Sequence, residues 1–191
     1  MSNSAPDSAA SAASSTPSST STTAPAEQPP NQQPPNQMLK ISVNGVKMLL
    51  PVEHLVEILS VPVGQVVPMF NLPMWISGVY NWRGEILWIV DLGHLLGLTP
   101  WYQQTGYGAK HTVVVLDRPH SQKLRREERS PLGLVVNLAD GMTAGDLESL
   151  RSNPTAAHQQ VLTKAASFIR GYLPTDDVPV LNGEAVLAAM P

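Results

Sequence analysis

Cysteine is absent from all 191 residues, which removes disulfides, thiolate metal ligands and cysteine nucleophiles and suits a reducing compartment. Charge is scarce as well: 14% of the residues are Asp, Glu, Lys or Arg, and the net charge is −3. Binding nucleic acid in general takes a basic surface that displaces phosphate counterions, so no nucleic-acid partner is expected. No apolar run reaches the ~20 residues of a membrane span, and the N-terminus has neither the basic nor the apolar region of an export signal. A cytoplasmic protein without direct membrane insertion is the expectation. What the chain has in quantity is apolar side chain, 42% of the total, enough for one domain with a sizeable core plus an appendage.

The appendage is the N-terminus. Residues 1–37 are mostly Ser, Thr, Ala, Pro, Gln and Asn, with no Lys, Arg, aromatic residue, Val, Ile or Leu. Such a segment buries too little apolar surface to offset the entropy of ordering it, so it reads as a disordered tail. The folded domain is expected over residues 38–191.

Two stretches of that domain read as tight hairpins. Leu39 to Val43 and Val46 to Leu50 flank Asn44-Gly45, the strongest short hairpin signal a sequence offers. Further on, WISGVYNW and EILWIVDL flank Arg83-Gly84, and the run Ile86 to Val90 calls for burial on both faces. Asn81, Arg83, Glu85 and Asp91 sit where this second hairpin bends or ends. Asp91 is placed to cap a short turn carrying Leu92, Leu95 and Leu96 on one side, with Gly97 closing it. The expectation is a buried ribbon that displays a lone arginine at its tip.

Between the hairpins, Pro62, Pro68 and Pro73 mark a connecting loop. The stretch TPWYQQTGYGAK is glycine-rich and ends in Lys110, yet Ala precedes the Lys and His follows it, which rules out a phosphate-cradling loop. His111 to Asp117 and Leu132 to Leu138 read as apolar strands, joined by a charged, solvated loop over residues 118–130. AGDLESL looks like a helix start. KAASFIRGYLP and DDVPVLNG supply two last strands, and GEAVLAAM a closing amphipathic helix. Nine or ten short strands punctuated by Gly and Pro argue for a mainly β fold of small barrels with few, short helices.

No catalytic constellation accompanies these elements. The five histidines are scattered without metal-ligand spacing, no Ser lies in a G-x-S-x-G setting, and no acidic pair precedes a glycine-rich loop. Neither an enzyme, a metal site nor a cofactor is expected. A small-ligand or oligonucleotide-binding β barrel is disfavoured by the acidity and by the lack of an aromatic and basic stripe.

The ordered set Ile76, Gly78, Val79, Asn81, Arg83, Gly84, Val90, Asp91, Leu92, Leu96, Gly97 and Leu98 resembles the signature of the CheW-like chemotaxis coupling proteins. The resemblance extends over Met38 to Met190. It implies two packed five-stranded barrels with a C-terminal helix, and a non-catalytic adaptor that couples receptors to a kinase. The implied partners are the regulatory domain of a CheA-like histidine kinase and the cytoplasmic tip of a methyl-accepting chemoreceptor. Arg83, with Asn81 and Gly84 around it, matches the motif associated with receptor contact. Leu55 and Glu57 match a second receptor-contact segment, and Gly133 matches a strand glycine. A CheW-like scaffold in pilus-based or gliding motility, or in another two-component pathway without a classical receptor partner, is the alternative. The chain departs from the family pattern at Asn137 and Leu138, where an acidic residue and glycine are common, and at Trp82 and Trp88, where smaller residues are usual.

Overall fold

A computed structural model describes residues 36–106, 108–118, 131–153 and 163–190. The tail lies outside the described residues except at its end, where Gln37 already belongs to the first strand. The charged loop lies outside them from residue 119 onwards.

β1 (Gln37–Val43) and β2 (Val46–Pro51) form the first hairpin. Its turn residues Asn44 and Gly45 have φ of 51° and 79°, the left-handed pair whose twist matches that of the flanking strands. After a 3-10 turn at Val52–His54 the chain forms β3 (Leu55–Pro62), β4 (Ile76–Trp82) and β5 (Glu85–Asp91). The short helix α1 (Leu92–Leu95) follows, then β6 (Lys110–Leu116), β7 (Leu132–Val136), β8 (Leu138–Ala144), β9 (Ile169–Tyr172), β10 (Pro179–Leu181) and α2 (Gly183–Ala188). Asp91 caps α1 by accepting the His94 N–H at 3.1 Å, and Gly97 ends the turn at φ 77°, as its sequence predicts.

The strands make two five-stranded sheets, ordered β8-β1-β2-β10-β9 and β3-β6-β7-β5-β4. This is the mainly β arrangement of two packed five-stranded units that the sequence predicts, although neither strand ladder closes fully on itself. Three apolar clusters make the core, one of them between the sheets. Between the sheets lie Leu39, Ile41, Met48 and Leu50 from the first, and Val90, Val114, Leu116 and Leu134 from the second. The second sheet curls around its own small core of Val61, Leu87, Ile89, Val113, Val115 and Val135. On the far face of the first sheet, Met38, Leu49 and Val180 pack under Leu147, Leu150 and Leu173. The strict alternation along β1, β5 and β6 serves two layers at once, and each fully buried Leu or Val contributes about 1.5–3 kcal/mol.

Four sequence expectations need correction. Ile86 is 65% exposed, so the apolar run of β5 is buried on both faces only from Leu87. The strand expected over Leu132 to Leu138 breaks at Asn137, where the chain crosses to the first sheet and Asn137 N–H donates to Ser42 O at 2.9 Å. AGDLESL makes no helix, because Asp146 Oδ1 accepts the Glu148 N–H at 2.9 Å in a local turn and Leu147 and Leu150 drop onto the first sheet. In KAASFIRGYLP only Ile169–Tyr172 is strand; Thr163–Phe168 is a 3-10 turn that tucks Ala165 fully into the intersheet core.

A polar network ties the sheets at one end. Asn137 Oδ1 accepts the Asn44 N–H at 2.7 Å, and Asn137 Nδ2 donates to Gln104 Oε1 at 2.7 Å. Asn44 Nδ2 donates to Thr99 O at 2.6 Å, and Gln104 Nε2 donates to Asn44 Oδ1. An ionised Asp at 137 would accept from Asn44 but has nothing to donate to Gln104, which gives the departure at this position a structural reason.

His111 on β6 is 1% exposed and meets Trp101 edge-on, centroids 4.6 Å apart. Burial lowers its pKa below 6.5, and the nearby Asp91 carboxylate opposes this only in part. The unfolded chain therefore binds more protons, so stability falls as pH drops through about 6.5 and levels off below the folded-state value. The urea midpoint of His111→Phe is expected to fall less between about pH 7.5 and about pH 5.5 than that of the wild type. Equal losses in the two proteins would contradict this account.

Candidate functional site at the hairpin tip

The second hairpin turns at Arg83 and Gly84, with φ of 55° and 81°. Asn81 Oδ1 accepts the Gly84 N–H at 3.0 Å and fixes the turn. A left-handed conformation is uncommon for a long side chain and costs about 1 kcal/mol relative to glycine. Asn or Gly would suit the position better, so the turn keeps Arg83 for its side chain.

What the guanidinium meets depends on how the second sheet curls. Its edge strands are β3 and β4, and two contacts join them. Val67, just beyond β3, exchanges a pair of hydrogen bonds with Val79 of β4 at 2.8 and 2.9 Å. This approach needs Gly78, where a Cβ would lie 2.1 Å from the Val67 carbonyl oxygen. The second contact is between side chains. Glu57 on β3 accepts the Trp82 indole N–H on Oε1 at 2.5 Å and the Arg83 guanidinium on Oε2 at 2.7 Å. Arg83 Cζ also lies 5.4 Å from the Trp82 ring centre, within cation–π range.

The arginine is therefore not alone, as the sequence suggested, but one member of an ion pair backed by an indole. Its side chain is 71% exposed and that of Glu57 25%. An exposed pair of this kind contributes about 0–1 kcal/mol. The half-buried charge-assisted bond from Trp82 is of the stronger class, about 1.5–3 kcal/mol.

The other site candidates fall in different places. Leu55 is half-buried against the intersheet core. Gly133 is buried in the middle of the second sheet, where a Cβ would lie 2.6 Å from Val113 Cγ1 and 3.0 Å from Ile89 Cδ1. It makes room for packing and stands apart from the surface cluster. Several features were missed in the sequence. Trp82 joins the cluster through a contact 25 residues away. Around it, residues 58–82 contain no charged side chain, and Phe70 is 90% and Met74 77% exposed. Among the described residues, no three His, Asp or Glu are grouped to hold a metal, and no helix is long and apolar enough to cross a membrane.

A family model described as the CheW-like domain matches residues 37–190. The chain belongs to the CheW-like domain family. Its fold is similar to that of the crystallised scaffolding protein TtCheW from Thermoanaerobacter tengcongensis, with TM-score 0.55, 18% identity, and coverage of 77% of this chain and 87% of that one. No curated protein matches the chain. Within this CheW-like domain, the motif residues Asn81, Arg83 and Gly84 and the segment residue Glu57 form one cluster, and Trp82 completes it.

Proposed function

We propose that the protein is a non-catalytic cytoplasmic adaptor that couples chemoreceptors to a CheA-like histidine kinase. Membership of the CheW-like family supports an adaptor role. The observation that carries the reading is the hairpin tip itself. A strained turn on a rigid ribbon presents Arg83, with apolar Ile86 three residues away and 65% exposed. Val56 and Ile58, on either side of Glu57, are 45% and 44% exposed. A pre-organised arginine, on strands whose neighbouring positions leave aliphatic side chains uncovered, has the composition of a protein-binding hot spot. Arg83 and Glu57 are the proposed contacts, Asn81 and Gly84 hold the turn, and Leu55 supports the strand from beneath.

The deciding experiment measures binding of the full-length chain to a purified CheA-like regulatory domain and to a chemoreceptor cytoplasmic fragment. Saturable binding to both is expected. Binding to neither would overturn the proposal.

A further inference from the structure

We infer that Trp82 is a positioning residue of the tip: its indole N–H keeps the Glu57 carboxylate in place independently of Arg83, so that Arg83 can exchange Glu57 for a carboxylate on a protein partner. The inference rests on the reading of the tip as a partner-binding surface. The two oxygens of Glu57 have separate donors in separate surroundings. Oε1 takes the indole N–H in a half-buried contact between β3 and β4, while Oε2 takes the guanidinium at the exposed rim. A half-buried carboxylate oxygen stripped of its donor costs far more than one that turns to water.

The two bonds therefore have different roles. The indole bond joins the sheet edges, and the guanidinium bond is the removable one. The Trp82 ring also packs against the small core inside the curled sheet, which fixes the direction of its N–H. When Arg83 swings out to a partner, Oε1 keeps its donor and Oε2 is hydrated, so Glu57 stays ordered. Without an N–H at position 82, Glu57 leans on Arg83 and holds it back.

Full-length protein carries two tests. In NMR of the tryptophan side chains, the Trp82 Nε1–H signal, assigned by its loss in Trp82→Phe, is expected to stay shifted and slow to exchange in Arg83→Ala and to move in Glu57→Gln. Its collapse in Arg83→Ala would show that the indole bond depends on the arginine and would overturn the inference. In the second test, Trp82→Phe, which keeps a ring in the core, is expected to bind a chemoreceptor cytoplasmic fragment about tenfold more weakly, with a melting temperature lowered by several degrees for the lost bond to Glu57 and the fold retained. Adding Arg83→Ala to that variant should cost less affinity than it does in the wild type. Unchanged affinity in Trp82→Phe would also overturn the inference. Absence of binding by the wild type would sink the proposed function and this exchange with it, and the NMR result then tells whether the indole latch stands without a partner.

Discussion

Gly78→Ala is expected to destabilise the domain by about 3 kcal/mol, the largest effect of any single methyl added here. Two causes combine. The residue sits at φ 143°, in a region L side chains rarely adopt, and the new methyl would lie 2.1 Å from the Val67 carbonyl oxygen, a backbone atom that cannot rotate aside. Relief requires pulling Val67 off β4, which breaks both hydrogen bonds that span the open side of the second sheet. The loop carrying Met69, Phe70 and Met74, already 47%, 90% and 77% exposed, would then swing away from the sheet. A lowered urea midpoint, with early loss of exchange protection at the amides of Val67 and Val79, is the expected signature. An unchanged midpoint would mean that the two edges are not joined as described.

Arg83→Glu is the second large effect, on binding in place of folding. The pair it breaks is exposed and contributes about 0–1 kcal/mol to stability. The new carboxylate faces Glu57, and the two repel at a surface where both can turn to water, so the melting temperature should fall only modestly. Affinity for a chemoreceptor fragment should fall by a few kcal/mol, about a hundredfold or more, as for a central hot-spot residue. The charge-swapped double variant, Glu57→Arg with Arg83→Glu, separates the two roles. It should restore an opposite-charge pair without the affinity, because the cation is then on the wrong strand, and it should stay less stable than the wild type because the Trp82 N–H has lost its acceptor. Recovered affinity would show that the partner reads the pair and not the arginine.

The hairpins were legible because their determinants are local. Asn44-Gly45 and Arg83-Gly84 specify their turns with two residues each, and the alternation on either side fixes the register. Asp91 and Gly97 likewise announce the start and stop of α1. β8 was hidden, since LADGMTA has no β-branched apolar run, is mostly exposed, and is kinked by Gly141 at φ 69°; only its pairing with β1 makes it a strand. The curl of the second sheet was hidden for a different reason. It depends on Val67 meeting Val79 and on Glu57 meeting Trp82 and Arg83, contacts with no signature in sequence spacing. The site was thus half readable: Glu57 and Arg83 could be named, but not that they touch.

The uncharged span from residue 58 to 82 means that ionic strength can distinguish docking on its exposed apolar side chains from docking on Arg83. Around 0.15 M salt, screening reduces the attraction between exposed charges beyond about 8 Å but leaves the burial of Met, Phe and Ile side chains intact. A partner docked through Phe70 and Met74 would stay bound as salt is raised. One anchored on Arg83 would weaken as salt is raised.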